Sequence, residues 1–317
     1  VQGLTGQQVS WLDTNQFRAL ETRDIAALTA DQITFVTADQ IQALTTSQLQ
    51  AIETRDLVSI SNAQLSAFQD DQIGDLTSTQ VGALLTSQIS ALSTNQFAAL
   101  ETTDLAVLNS SQIRAVQVEQ LAVMDDAHMQ ALTTAQMTAL ATSQLVALTT
   151  TQLSGLSDTQ AKALTTAQVS ALGTDQVQSL SASTIKALTT GQVAALSTAQ
   201  VAALTTGQVK DLASTTVAAL SSTQVNALGS AQVAALTKVA VAALTTGQVA
   251  GMNTTVLKAL TTASVAALTN DQVKALTTAS VAAMTTDQVK ALESADIAVL
   301  SSAQVGALTT TQVGVLT

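Results

Sequence analysis

The stretch Ala187–Val209, ALTTGQVAALSTAQVAALTTGQV, places Leu188, Leu196 and Leu204 eight residues apart. A helix repeats near 3.6 residues and a strand at 2.0, so eight is a whole number of strand periods and not of helical turns. A continuous helix turns about 100° per residue. Its apolar stripe would slip about 80° per repeat and wind around the axis, leaving no single face to bury. Either the helix breaks in every repeat, or the repeat is a strand of a β-solenoid.

Label one octad a to h, with a at Leu4, Leu12 and onward. The register then runs without insertion or deletion to Leu316, giving 39 octads over residues 4–315. Position a is apolar throughout and Leu in 31; position f is apolar throughout; h is Ala in 27; e is Gln in 28; b is Ser, Thr, Asp, Asn or Gly in 30. The consensus is L-T-T-x-Q-V-x-A. The register marks no linker or boundary, so a single uninterrupted solenoid over residues 1–317 is expected, as part of a longer chain or filament. The N-terminal third is the more varied (Trp11, Phe17, Phe35, Phe68), and the C-terminal half lies closer to consensus.

Three features favour short helices. Positions b and e form a Thr-x-x-Gln capping box, as in Thr165 to Gln168 and Thr189 to Gln192. Positions a and f then fall at N′ and N4, where Leu164 and Val169 make a hydrophobic staple. The charges are also polarised. Of 22 acidic residues, 20 lie at b to e, and eight of 11 basic residues lie at g. Acids at a helix start and bases at its end complement the macrodipole. Each octad should therefore be a helix of about two turns, too short to stand alone and held by stacking in a solenoid. The expected fold is all-α: one short helix per octad, coiled into a rod with an inner Leu/Val seam and a Thr/Gln/Ser surface. The small Ala at h allows close approach of a second neighbour. Three octads per turn is a working assumption, and with stacking at about 8–10 Å per turn it gives a rod of roughly 100–130 Å. The alternative is a β-solenoid, which Thr and Val favour. No octad position, however, supplies the Gly, Asn or Asp that sharp corners need.

Composition bounds the function. With no Cys, the chain has neither disulfides nor thiol chemistry. The net charge of −11, spread thinly, argues against a nucleic-acid partner. No apolar run approaches the roughly 20 residues of a membrane helix. Candidate sites are few. His128 occupies the Gln slot of MDDAHMQA beside Asp125 and Asp126, a weak metal-ligand set better understood as a capping substitute. Glu occurs at b in four octads, and in those four alone e is Asp: Glu21/Asp24, Glu53/Asp56, Glu101/Asp104 and Glu293/Asp296. This swap indicates that b and e side chains meet; cation binding by the pairs is the functional alternative. Asn109-Ser-Ser and Asn253-Thr-Thr match the glycosylation pattern as short polar repeats do by chance. No residue breaks the repeat in a way that suggests catalysis. No enzyme activity, cofactor, metal site or small-molecule substrate is expected.

The motif LTTxQVxALTTxQV resembles the short-period repeats of very long bacterial surface proteins labelled haem-utilisation or adhesion proteins. The resemblance implies an extracellular or cell-surface location and a role as stalk, adhesin or fibre. Its haem component has no regular axial ligand here. The leading expectation is a structural solenoid that self-associates end to end or laterally, since neither end carries a polar capping segment. The alternatives are an adhesin or binding module, and an ice-binding β-solenoid with Thr rows.

Overall fold

A computed structural model describes residues 1–316. Among them are 39 helices, one per octad, each four to six residues long, from Gly6–Ser10 to Thr310–Val313. No strand occurs among the described residues. The β-solenoid alternative, and with it the flat Thr row of an ice-binding surface, is overturned.

Each helix begins at c, usually ends at h, and turns a corner through a and b. In Thr198–Ala203, Leu204 leaves helical geometry with φ −55° and ψ 140°, and the preceding Ser197 is the N-cap with φ −70° and ψ 161°. The capping box closes as expected: Gln168 N donates to Thr165 Oγ1 at 3.1 Å, and Thr165 N donates to Gln168 Oε1 at 2.7 Å. At four to six residues these helices fall short of the two turns expected, and most of their backbone groups lack an intrahelical partner. The corner chemistry therefore decides whether so short a helix persists.

The chain falls into two compact units, Val1–Gly155 and Leu156–Thr317, each built by the same rule. A helix packs on the one three octads later: Thr14–Arg18 on Ala38–Ala43 in the first unit, Asp158–Ala163 on Ala182–Ala187 in the second. Three octads therefore make one solenoid turn within each unit, and 24 residues separate stacked positions. The a and f side chains fill the interior; Leu188 and Val193 are both buried, as are Leu164 and Val169.

Position h explains its own preference for Ala. It lies over the c and g positions of the helix one turn below. Thr46 Oγ1, at c, donates to Asp75 Oδ2, at h of the turn above, at 2.7 Å. A Cβ on Gly82, at g, would lie 3.9 Å from Val107 Cβ, at h above, and a Cβ on Gly74 would lie 2.8 Å from Ala99 O. Large h residues survive where the partner shrinks or the side chain swings outward: the Phe35 ring lies over Gly6, and Trp11 is 70% exposed.

Charge is not spread as thinly as the linear sequence suggests. Val1–Gly155 holds 15 acidic and four basic residues, whereas Leu156–Thr317 holds seven of each. The whole net charge resides in the first unit.

Candidate functional site

The position that organises the molecule is e. The sequence places Gln there for its local capping role, on a Thr/Gln/Ser surface. The structure corrects that placement: nearly every e Gln is buried. Its oxygen accepts the b N–H of its own octad, and its amide nitrogen reaches one turn down. Gln40 Nε2 donates to Val9 O at 2.9 Å and Leu12 O at 2.7 Å. Gln208 Nε2 donates to Val177 O at 3.0 Å and Leu180 O at 2.7 Å. The same pair of bonds, to residues 31 and 28 earlier, recurs through both units, as at Gln88 and Gln288. One amide thus satisfies the start of its own helix and the carbonyl end of a helix in the preceding turn.

One signal for this second role stands in the sequence. A capping box accepts Glu or Gln alike, yet none of the 39 e positions is Glu. The shorter Asp stands at e in four octads, but a Glu of Gln's length, though able to accept the b N–H, offers no donor to the carbonyls below and would lie buried against them. Loss of the b cap is tolerated more easily. Leu85, Ala141 and Gly229 have no capping oxygen, yet their N–H groups still donate to Gln88, Gln144 and Gln232 at 2.8, 2.8 and 2.6 Å.

The exceptional octads follow the same geometry. His128 copies Gln: Asp125 N donates to Nδ1 at 3.4 Å and Nε2 lies 3.0 Å from Leu100 O, one turn below, while Asp125 Oδ1 also lies 2.7 Å from Nδ1. The His128 backbone N–H, donating to Asp125 Oδ1 at 2.9 Å, holds the Asp125 carboxyl below its usual value. Among the described residues no group of three or more His, Cys, Asp or Glu is placed to hold a metal.

In the Glu/Asp octads the shorter e side chain still accepts the b N–H in three cases. Glu21 N, Glu101 N and Glu293 N donate to Asp24, Asp104 and Asp296 at 3.3, 3.0 and 3.0 Å. Glu21 and Glu53 turn outward to ion pairs with Arg23 and Arg55, both 2.9 Å. Asp56 is the outlier. It is 2% exposed, its Oδ1 has no hydrogen-bond partner, and its Oδ2 lies 3.6 Å from Arg55 Nε. Burial pushes its carboxyl above the usual range against the pull of Arg55. Asp104 is likewise raised by burial, although Ser78 Oγ donates to it at 2.7 Å. Asn109 and Asn253 both serve as N-caps, accepting from Gln112 N at 3.1 Å and from Val256 N at 2.9 Å.

The apolar cavity lined by Phe17, Ile25, Val36, Ile52, Ile60 and Phe68 offers about 10 Å³, at most one water's worth. No described helix is long and apolar enough to cross a membrane.

Short capped helices stacked three octads per turn and tied by a buried amide define a class: an α-solenoid repeat protein. The chain belongs to the ALTTAQ repeat family. That family's model matches nine segments, at 9–46, 49–86, 97–134, 137–174, 169–206, 184–214, 206–238, 241–278 and 281–317. Comparison with individual curated proteins gives no match.

Proposed function

We propose that this repeat protein is a non-enzymatic structural element, exported to the cell surface, where it serves as a stalk, spacer or fibre and associates with itself. The glutamine ladder carries the reading. Each turn brings the donors that the corner of the preceding turn requires, so adding octads lengthens the solenoid with no new chemistry. Stability then grows from nearest-neighbour terms, as in other solenoids. The exterior of the repeat is Thr, Ser and Ala, and its irregular octads (His128, Asp104, Asn109) are engaged in capping. The surface-protein resemblance supports export. Haem use is not part of the proposal, because the sole His has both ring nitrogens engaged, Nδ1 by Asp125 and Nε2 by Leu100 O.

Cryo-electron microscopy of native, never-refolded material tests the role. Elongated rods or filaments with helical density are expected, and compact isolated particles would contradict it. Protease treatment of intact cells tests the location: digestion without lysis is expected, and protection until lysis would contradict export.

A further inference from the structure

Stacking sorts the octads of each unit into three columns, each forming one face. In Leu156–Thr317, the helices Asp158–Ala163, Ala182–Ala187, Thr206–Asp211, Ser230–Ala235 and Thr254–Ala259 lie one upon the next. Their g positions read Lys162, Lys186, Lys210, Ala234 and Lys258. The face continues through Thr278–Ala283 and Ser302–Gly306, with Ala282 and Gly306 at g, so lysine stands at four of its seven rungs, all four among the first five. All four are exposed, and none is in an ion pair among the described residues. The other two faces of this unit carry g lysines only at Lys274 and Lys290. A helix C-terminus attracts cations, but that attraction is the same in all three columns. It accounts for lysine at g and not for its collection on one face. Two acids share the face, Asp158 and Asp211.

Val1–Gly155 holds a counterpart. The helices Ala30–Ile33, Thr54–Leu57, Ser78–Ala83, Thr102–Val107 and Asp126–Ala131 also form one stack. Asp31, Glu53, Glu101, Asp125 and Asp126 are exposed on it. Its one basic residue, Arg55, is already paired with Glu53 at 2.9 Å. The same octad generates both rows, so both are ruled at one spacing, about 8–10 Å per rung for packed helices. Ser78–Ala83 carries no acid and Ser230–Ala235 no lysine, so three lysine–acid rungs coincide when the two stacks are aligned.

We propose that the lysine row Lys162, Lys186, Lys210 and Lys258 docks side by side on the acidic row of a second copy of this chain. The inference rests on the self-associating structural role above and assigns that role its lateral contact. Nucleic acid is the weaker occupant. Duplex DNA carries a charge every 1.7 Å or so, far denser than the lysine row, and the chain's net −11 opposes it. Exposed ion pairs are individually weak, so the contact gathers its strength over several rungs. It is also screened by salt, the Debye length being about 10 Å at 0.1 M.

The test is sedimentation velocity of the full chain at about 20 mM and 500 mM NaCl. It compares wild type, the K162Q/K186Q/K210Q/K258Q variant and an Asp31→Lys/Glu101→Lys/Asp125→Lys variant, with circular dichroism confirming that each keeps its helix content. Wild type is expected to associate at low salt and dissociate at high salt, and each variant alone to lose the low-salt association. A lysine-to-glutamate version of the row, mixed with the acid-to-lysine variant, is expected to regain it. Equal association by wild type and the glutamine variant would overturn the docking assignment while leaving self-association standing. A wild type that stays monomeric at both salts would overturn both. Monomers that instead bind a DNA duplex or an acidic polysaccharide through the lysines would overturn the assignment in favour of that partner.

Discussion

The two units obey one stacking rule but depart from the repeat in opposite ways. Val1–Gly155 varies its core, with Phe17, Phe68 and Phe97 among its buried apolar residues, and carries the net charge. Yet its substitutes at e are Asp24, Asp56, Asp104 and His128, all able to hydrogen bond. Leu156–Thr317 is nearly pure Leu and Val at a and f, but its ladder is the more broken. Position e is Thr184, Thr216, Ala240, Val256, Ser264, Ser280 and Asp296 in seven octads. Thr216, Ala240 and Ser264 even fall on successive turns of one face. Two of those seven, Ala240 and Val256, are apolar, and Thr184 Oγ1 still donates to Leu156 O at 3.3 Å, so the regular seam coexists with a thinned ladder while the irregular seam keeps Gln at all but four corners. Seam and ladder are therefore separable contributions, and the units weight them differently.

Breaking the seam should have the largest effect. Leu188→Asp with Val193→Asp buries unpaired charge in the second unit, a loss of about 3–5 kcal/mol or more. Urea denaturation followed by circular dichroism measures it; unchanged midpoints would mean that a and f are not the buried seam.

The ladder comes next. Gln208→Glu keeps the acceptor for Thr205 N, 2.7 Å away, but places a carboxylate against Val177 O and Leu180 O. Gln208→Ala only deletes the amide, at about 1–3 kcal/mol. The Glu variant should lower the denaturation midpoint more than the Ala variant at pH 7 and approach it at pH 4. The converse change, Ala240→Gln, should raise the midpoint by restoring a rung where the ladder is broken.

Two glycines compare close approach in the units. Gly74→Ala forces a Cβ to 2.8 Å from Ala99 O and should cost about 1–3 kcal/mol. Gly306 meets nothing within 4 Å and has no positive φ, so Gly306→Ala should stabilise by about 0.5–1 kcal/mol. Thermal melts give both signs.

The smallest effect separates the units by pH. Burial raises the Asp56 carboxyl above its ordinary 3.8, so the folded chain holds that proton more tightly than the unfolded one. The stability this contributes is complete below about 3.8 and is lost as pH rises through the folded value. Asp56→Asn should therefore match wild type near pH 4 and exceed it increasingly toward pH 7. A melting-temperature difference that shrinks with rising pH would reverse the sign.

Much of this architecture is legible one octad at a time. The eight-residue spacing rules out a continuous helix, and Thr165 with Gln168 announces the cap because both partners lie within four residues. Long-range pairing is not legible in the same way. Gln40 meets Val9 and Leu12 only after a full turn is closed, and nothing within one octad fixes the size of that turn. The exclusion of Glu from e is the one trace that the distant carbonyls leave. The charge rows were hidden for the same reason, since Lys162, Lys186 and Lys210 become neighbours only when the sequence is folded at 24 residues per turn.

Three octads close each turn, and a disulfide tests this most directly because the chain contains no cysteine. A Cβ on Gly82 lies 3.9 Å from Val107 Cβ, within the span of a disulfide. Under mild oxidation the Gly82→Cys/Val107→Cys variant should crosslink rapidly. The pairs Gly82→Cys/Ala99→Cys and Gly82→Cys/Ala115→Cys, shifted by one octad either way, should remain reduced. Preferential closure of either shifted pair would contradict the three-octad turn and the glutamine ladder built on it.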